Sequence, residues 1–370
     1  MKKFYTSVVL MMAVLFSIIG SVNYIKDPAF VLHHGKLEKK VALAILNDQY
    51  VAIPSNMNDR LLQQFLITEN ESIPDGIILG SSRVMGISCD SLGFKTGLNH
   101  SMAAARFKDI MGILGLYLEN KRELPKNIVI GIDARLFSKN NNNINTFFNL
   151  ENEYNYWLEQ SGITVEAPQK HFVQQQNTAQ LFSITYYQSA IKTPYKAADF
   201  INADLTTSST FYDELGMTNF VRCPDGSRVY PKSVQNKSLD EVMIEIKDEV
   251  MIEIKYEMAN QGFTNDFFST ISPEIKESFE ESIDYLQNKD ISITFIFAPI
   301  HPLLWDNMIS LNDEYNFEVE QYVRQFASEK NIPVIGSYNP HTIGATEKDF
   351  YDVYHSKREF INQLCMNQSS

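Results

Sequence analysis

Asp75-Gly76-Ile77-Ile78-Leu79-Gly80-Ser81-Ser82-Arg83 is a short apolar run that stops at a glycine and two serines. Aliphatic residues without polar alternation suit a strand buried on both faces, and the small residues after them suit a tight turn. Comparable runs follow. Phe94 to Leu98 is weaker, and Asn127-Ile128-Val129-Ile130-Gly131-Ile132 is strong. Ile291 to Ala298 (ISITFIFA) is the clearest, and Ile332-Pro333-Val334-Ile335 is the last. Helical spacing lies between or after them. Ala103 to Glu119 carries Ile110, Ile113, Leu114 and Tyr117 on one face. A helix to about Lys289 opens with Ser272 as N-cap and Pro273 in its first turn, and others lie near 316–330 and 356–364. This alternation predicts an α/β fold whose parallel sheet is covered on both faces.

Between the third and fourth strands the alternation breaks. Residues 138–271 read as a cap or lid insert, opened by the polar run Lys139 to Asn143 and rich in Asn, Gln, Tyr and Phe. Its cluster Tyr154, Tyr156 and Trp157 suits a subdomain core or stacking on sugar rings. The octapeptide DEVMIEIK occurs at 240–247 and again at 248–255. Eight residues make about 2.2 helical turns, so a copy drifts off the first copy's face, and an exposed duplicated helix or loop is expected. Before the first strand, residues 26–72 read as a juxtamembrane connector with one amphipathic stretch, Asp59 to Leu66.

The start fixes the compartment. Met1-Lys2-Lys3 precedes an apolar run from Phe4 to Ile25, with no charge until Lys26. That is about the ~20 residues a bilayer-crossing helix needs, and the lysines mark the cytoplasmic side. Residues 1–25 are expected to be a single-pass inner-membrane anchor, with the remainder periplasmic or otherwise extracytoplasmic. A cleaved signal peptide is the alternative, although no A-x-A-like site is present. Cys89, Cys223 and Cys365 would then meet an oxidising compartment, where one pair could bridge. The chain of 370 residues has 45 acidic and 32 basic side chains, a net charge of -13, which argues against nucleic acid as a partner. Its 44% hydrophobic and 12% aromatic content excludes wholesale disorder.

In an α/β fold chemistry gathers at the carboxyl ends of the strands. Gly80-Ser81-Ser82-Arg83 can expose the Ser82 oxygen at the start of a helix, where N–H groups favour a developing anion. In Asp352-x-x-His355 the carboxylate can accept from the imidazole, fixing its tautomer. A nucleophile after the first strand and an Asp/His pair before the last helix make a Ser-His-Asp arrangement. Asn99, Asp133 and His301 (in Pro299-Ile300-His301-Pro302) follow other strands and are candidates to line the cleft. No cluster has metal-ligand spacing, so neither a metal nor another cofactor is expected. His171, His341, His33 and His34 show no partner pattern.

With these motifs the sequence resembles the SGNH (GDSL-like) hydrolase superfamily, above all its membrane-anchored extracytoplasmic branch. That branch includes the D-alanyl transfer protein DltD and the SGNH proteins of alginate acetylation. The resemblance runs through Asn23-Tyr24-Ile25-Lys26-Asp27-Pro28, residues 77–83, Leu98-Asn99, Ile130-Gly131-Ile132-Asp133, Ala298 to Pro302 and Phe350 to His355. It hardly touches the insert. It implies a three-layer α/β/α fold over 73–370, with Ser82 as nucleophile, His355 as base and Asp352 as its partner. It further implies an acyltransferase or esterase acting on cell-envelope polysaccharide, with an acyl donor and a membrane-bound acyltransferase as partner. Two positions depart from the pattern: Ser81 stands where the family has Asp, and Asp133 where it has an Asn oxyanion donor. The Ser82 N–H and Asn99 are then the oxyanion-hole candidates. The departures also motivate an alternative, a non-catalytic polysaccharide-binding or scaffold protein of an envelope complex.

Overall fold

Nine short strands alternate with helices in the computed structural model, which describes all residues except His34, Asn56, 139–149, 165–175, 194–195, 208–213, 261–269, 311–314 and 369–370. The polar run Lys139 to Asn143 and His171 therefore lie outside the described residues. The strands are β1 (Tyr50–Ile53), β2 (Gly76–Leu79), β3 (Gly97–Asn99), β4 (Asn127–Gly131), β5 (Thr206–Thr207), β6 (Phe220–Arg222), β7 (Arg228–Val229), β8 (Ser292–Phe297) and β9 (Val334–Gly336).

Five of them form the expected parallel sheet, in the order β3-β2-β4-β8-β9. Alternate residues explain why both faces are covered. Ile77, Leu79, Ile128, Ile130, Phe295 and Phe297 meet the helices Phe107–Lys121, Pro273–Gln287 and Tyr315–Lys330 in one core. Ile78, Val129, Ile296 and Ile335 point the other way, onto Val84, Ile87 and the C-terminal helix Arg358–Gln368. Counted within this sheet, the order is second, first, third, fourth, fifth. That is a doubly wound arrangement, which opens a crevice beyond the carboxyl ends of β2 and β4. The second strand lies at 97–99, not 94–98, because Phe94 folds over Gly76: a Cβ there would sit 2.5 Å from the Phe94 ring.

The segment expected as a connector is folded. Helices Lys36–Leu46 and Asp59–Glu69 flank β1, and Leu37, Val41, Ile45, Leu62 and Leu66 pack with Ala197 and Leu205 of the insert. Strand β1 also joins insert strands in an antiparallel sheet of order β5-β1-β6-β7. The insert likewise enters the main core. Helix Glu151–Ser161 lies so close to Phe107–Lys121 that a Cβ on Gly115 would fall 1.9 Å from the Glu153 carbonyl oxygen. Tyr154 and Trp157 are buried there, with the Trp157 Nε1–H donating to Ser282 Oγ at 3.2 Å, so they pack the core and are closed to a sugar ring.

Both DEVMIEIK copies lie in one helix, Leu239–Asn260. Val242, Ile246 and Val250 are buried in the main core and Ile254 packs against it. Steps of four residues thus carry one stripe through both copies, so the duplication is half-buried and not the wholly exposed element expected.

Helix Lys2–Lys26 is long and apolar enough to cross a membrane, with a mean hydropathy of 2.2 over its most apolar stretch. Its first 17 residues, 2–18, are exposed. Its last turns are fastened to the insert: Asn23 Nδ2 donates to the carbonyls of Gln180, Leu181 and Ser183. Just beyond, the buried Asp27 accepts from the N–H groups of Leu32 and His33, from the His33 ring and from Tyr186 Oη–H. The cysteines that could have bridged do not pair. Cys89, Cys223 and Cys365 are all free and buried, and burial raises each thiol's pKa, that of Cys365 to about 12. They serve as small apolar side chains.

Glu38 gives this part of the fold a pH dependence. Its Oε1 accepts from the Asn58 N–H at 3.2 Å, but its buried Oε2 has no partner among the described residues. Burial pushes its pKa from 4.5 to about 7. A raised acid leaves the folded state holding the extra proton, so stability falls as pH rises from about 4.5 to about 7 and is level above. The loss expected is roughly 3 kcal/mol. Denaturant melts of native and Glu38→Gln protein at several pH values check it, and the variant should lose that slope.

Candidate active site

Strand β2 is followed by Gly80, whose φ of 152° disfavours an L side chain and where a Cβ would lie 2.6 Å from Val84 Cγ2. The chain then runs through turns to a 3-10 helix at Cys89–Leu92. The helix expected directly after Ser82 is absent, so no helix dipole acts on the serine. Two devices hold the turn instead. Ser81 Oγ donates to Asp133 Oδ2 at 3.2 Å and accepts the Arg83 N–H at 3.3 Å. Arg83 Nη2 donates to the Ala298 carbonyl, and its guanidinium lies over Tyr338 at 5.2 Å. Ser82, between these anchored neighbours, is half-buried. Its N–H has no hydrogen-bond partner among the described residues, leaving that donor available to an oxyanion.

His355 and Asp352 come from the far end of the chain, on a loop closed by the antiparallel bridge Phe350↔Ser356. Tyr351 N–H donates to the His355 carbonyl at 2.9 Å across it. Asp352 Oδ1 accepts the N–H groups of Tyr354 at 2.9 Å and His355 at 2.8 Å, which fixes the carboxylate in a turn of its own. Both carboxylate oxygens lie 2.8 Å from His355 Nδ1. His355 Nε2 lies 2.8 Å from Ser82 Oγ. The three residues singled out in the sequence are thus one hydrogen-bonded chain. Burial alone would raise the Asp352 pKa, but the hydrogen bonds and charge of His355 outweigh it and hold the carboxyl below its ordinary value. Asp352 is therefore ionised wherever an imidazole is the working base.

The other candidates serve the site indirectly. Asn99 is fully buried, and its Nδ2 donates to the carbonyls of Val84 at 3.0 Å and Ile87 at 2.9 Å. It shapes the turn after Ser82 and has no amide to offer an oxyanion. Asp133 orients Ser81 and accepts the Arg135 N–H at 3.3 Å. His301 is fully buried, its Nδ1 accepting the Leu303 N–H at 3.1 Å. Its backbone N–H donates to the Val353 carbonyl at 3.0 Å, so it braces the 350–356 loop from behind. Burial lowers its pKa to about 4, which keeps the ring neutral. His33 and His341, which showed no partner in sequence, pair with Asp27 and Asp306, each at 2.8 Å. Among the described residues no three His, Cys, Asp or Glu side chains gather in a group that could hold a metal ion.

The residues that sequence reasoning missed come mostly from the insert. Arg228 and Tyr230, with Tyr351 and Arg358, line a narrow cleft over Ser82 and His355. Tyr230 stacks on Tyr351 with centroids 4.3 Å apart. The β6–β7 hairpin reaches the turn after Ser82 through the Arg228 N–H, which donates to the Met85 carbonyl at 2.7 Å. Gly226, with φ of 75°, lets the hairpin lie on β3, where a Cβ would be 2.9 Å from the Asn99 carbonyl oxygen. The second DEVMIEIK copy also reaches the site, since Glu249 accepts the Val353 N–H at 3.3 Å. No spacing rule connects a two-residue strand to a serine some 146 positions away. No protein-family model, curated protein or solved structure matches the chain.

Proposed function

We propose that this chain is an exported, membrane-anchored serine acyltransferase or esterase with a three-layer SGNH-like fold, acting on cell-envelope polysaccharide in the periplasm. The observation that supports it is the unbroken hydrogen-bond chain Ser82–His355–Asp352, with 2.8 Å at each link. The anchor helix supports the membrane association, and the resemblance in the sequence supports the choice of envelope polysaccharide over other acyl acceptors.

In this reading Ser82 Oγ attacks the carbonyl carbon of an acyl donor while its proton passes to His355 Nε2. Asp352 holds the Nδ1–H and stabilises the imidazolium. The oxyanion forms beside the Ser82 N–H. As the tetrahedral species collapses, the Nε2 proton goes to the departing alkoxide, leaving an acyl-Ser82 ester. A sugar hydroxyl, or water in an esterase, then gives its proton to Nε2 and attacks that ester, and the proton returns to Ser82. A membrane-bound partner would bring acyl groups across the bilayer to this site.

Intact-mass analysis of native and Ser82→Ala protein after exposure to a fluorophosphonate or an activated acetyl ester tests the reading. One adduct is expected on the native chain and none on the variant. Equal labelling of both would sink the nucleophile assignment and favour a glycan-binding or scaffold role.

A further inference from the structure

We propose that the elbow of the insert at Phe182 and the helix after it, Ile184–Lys192, are a second membrane contact, seated beside the anchor in the extracytoplasmic interface of the bilayer. The proposal rests on the reading of Lys2–Lys26 as a membrane anchor, and it adds lipid as the partner of the insert.

The first ground is length. The exposed residues 2–18 of the anchor rise about 26 Å at ~1.5 Å each, short of the ~30 Å hydrocarbon core. The rest of the crossing falls to residues 19–23, and there the insert already covers one side. Gly20 and Asn23 are buried, and a Cβ on Gly20 would lie 3.1 Å from the Phe182 ring. Phe182 reaches deeper still, its ring edge-on to that of Phe16 with centroids 6.1 Å apart. Whatever depth Phe16 to Asn23 occupy in a bilayer, the elbow occupies with them.

The second ground is the surface the elbow presents. Phe182, Ile184 and Ile191 are 51%, 62% and 56% exposed. At about 100° per residue, Ile184 and Ile191 fall on one side of their helix and the exposed Thr185, Ser189 and Lys192 on another, while Ala190 is buried on the third. A bare apolar stripe beside a polar one suits a helix with lipid on one side and water on the other. The backbone is equipped for a dry setting. The N–H groups of Phe182 and Ser183 donate to the carbonyls of Ala179 and Gln180 at 3.3 and 3.2 Å, and Ser183 Oγ accepts the Tyr186 N–H at 3.2 Å. The anchor adds donors of its own. Asn23 Nδ2 lies 2.9 to 3.1 Å from the carbonyls of Gln180, Leu181 and Ser183, and Lys26 Nζ donates to the Thr193 carbonyl at 3.0 Å. Carbonyls in water need no protein donor, whereas an unpaired one in lipid is costly. Lipid is also the occupant that the adjoining helix brings, because the exposed apolar surface of the anchor continues from Phe16 onto Phe182.

The test uses the full-length chain in phosphatidylcholine nanodiscs, with doxyl-labelled phosphatidylcholine as quencher. Ile184→Cys, Ile191→Cys, Ser189→Cys and Val9→Cys each carry one environment-sensitive fluorophore. All four positions are exposed, so the fold should tolerate the change, and melts matching the native chain check it. The native cysteines are buried, and the unsubstituted chain taken through the same labelling gives the blank. The Val9 label, within the anchor, should be quenched. Labels at 184 and 191 should be quenched at least about twofold more than the label at 189 on the polar side. Equal quenching at 184, 191 and 189, with the Val9 label quenched, overturns the proposal and leaves the anchor standing. An unquenched Val9 label removes the anchor reading and the proposal with it. Labels at 184 and 191 that are shielded from water yet not quenched by lipid also overturn it, and give the face to a protein neighbour such as a second copy of this chain. None of these outcomes bears on Ser82, whose acyl labelling is read separately.

Discussion

Asp352→Asn should reduce turnover of an activated acyl ester by about 10⁴-fold with little change in the melting temperature. The size follows from which atom the substitution can alter. Asp352 Oδ1 is held by the N–H groups of Tyr354 and His355, at 2.9 and 2.8 Å. An Asn side chain keeps those bonds only by leaving its carbonyl oxygen in the Oδ1 position. Its NH2 group then takes the place of Oδ2, which lies 2.8 Å from His355 Nδ1. A donor facing Nδ1 disfavours a proton on that nitrogen, against the single oxygen at the Oδ1 position that still lies 2.8 Å away, so the ring proton shifts toward Nε2. There it points at Ser82 Oγ, 2.8 Å away, and the imidazole cannot take the serine's proton. The geometry survives and the chemistry stops. Steady-state rates for both proteins, with a melt as control, check the expectation. A variant within tenfold of native would mean that His355 is not the base, or that its tautomer is set by another group.

That mechanism rests on residues legible in the sequence, for a physical reason. Ser82 and His355 lie beside strands or loops of the parallel sheet, where burial on both faces writes a continuous apolar run into the chain. ISITFIFA is the plainest case: Phe295, Ile296 and Phe297 of β8 are all fully buried. The second sheet left no such trace. Its strands have two to four residues and come from segments more than 150 residues apart, as in the pairing of Tyr50 with Thr207. Strands that short have too few positions for alternation to register. Hence residues 26–72 read as a connector and 220–229 as part of a lid, although β1 and the hairpin pair in one sheet, from which Arg228 reaches the cleft. Asn99 illustrates a different limit. Its residue type and its position after a strand suited an oxyanion donor, yet its amide is spent on the Val84 and Ile87 carbonyls, which only the fold brings near it. The clustered arginines were unreadable for the same reason, since Arg228 and Arg358 are 130 positions apart.

The joint between those two distant segments carries the second large expectation. Arg222→Met should destabilise the chain by roughly 3–5 kcal/mol, because it leaves a buried carboxylate without its counter-charge. Arg222 is fully buried, with Nη2 donating to Asp59 Oδ1 at 2.5 Å and Nη1 to the Gly226 carbonyl at 2.8 Å. Asp59 also accepts the Ala103 N–H through Oδ2 at 2.8 Å, so it cannot turn out to solvent without breaking a second contact. Methionine fills much of the arginine stem's volume, which limits the cavity contribution and isolates the charge effect. The double variant Asp59→Leu with Arg222→Met should recover most of the loss, since replacing both members of a buried pair by apolar groups is often near neutral. Denaturant melts of the two singles and the double give the coupling energy directly. Activity should fall in the single variant too. Arg222 positions the hairpin whose Arg228 N–H holds the Met85 carbonyl at 2.7 Å and whose Asp225 carbonyl accepts the Asn99 N–H at 2.7 Å, and both contacts shape the turn that presents Ser82. If Arg222→Met melts with the native chain, the pair does not join the two segments, and the hairpin is held to the Ser82 turn by its backbone contacts instead.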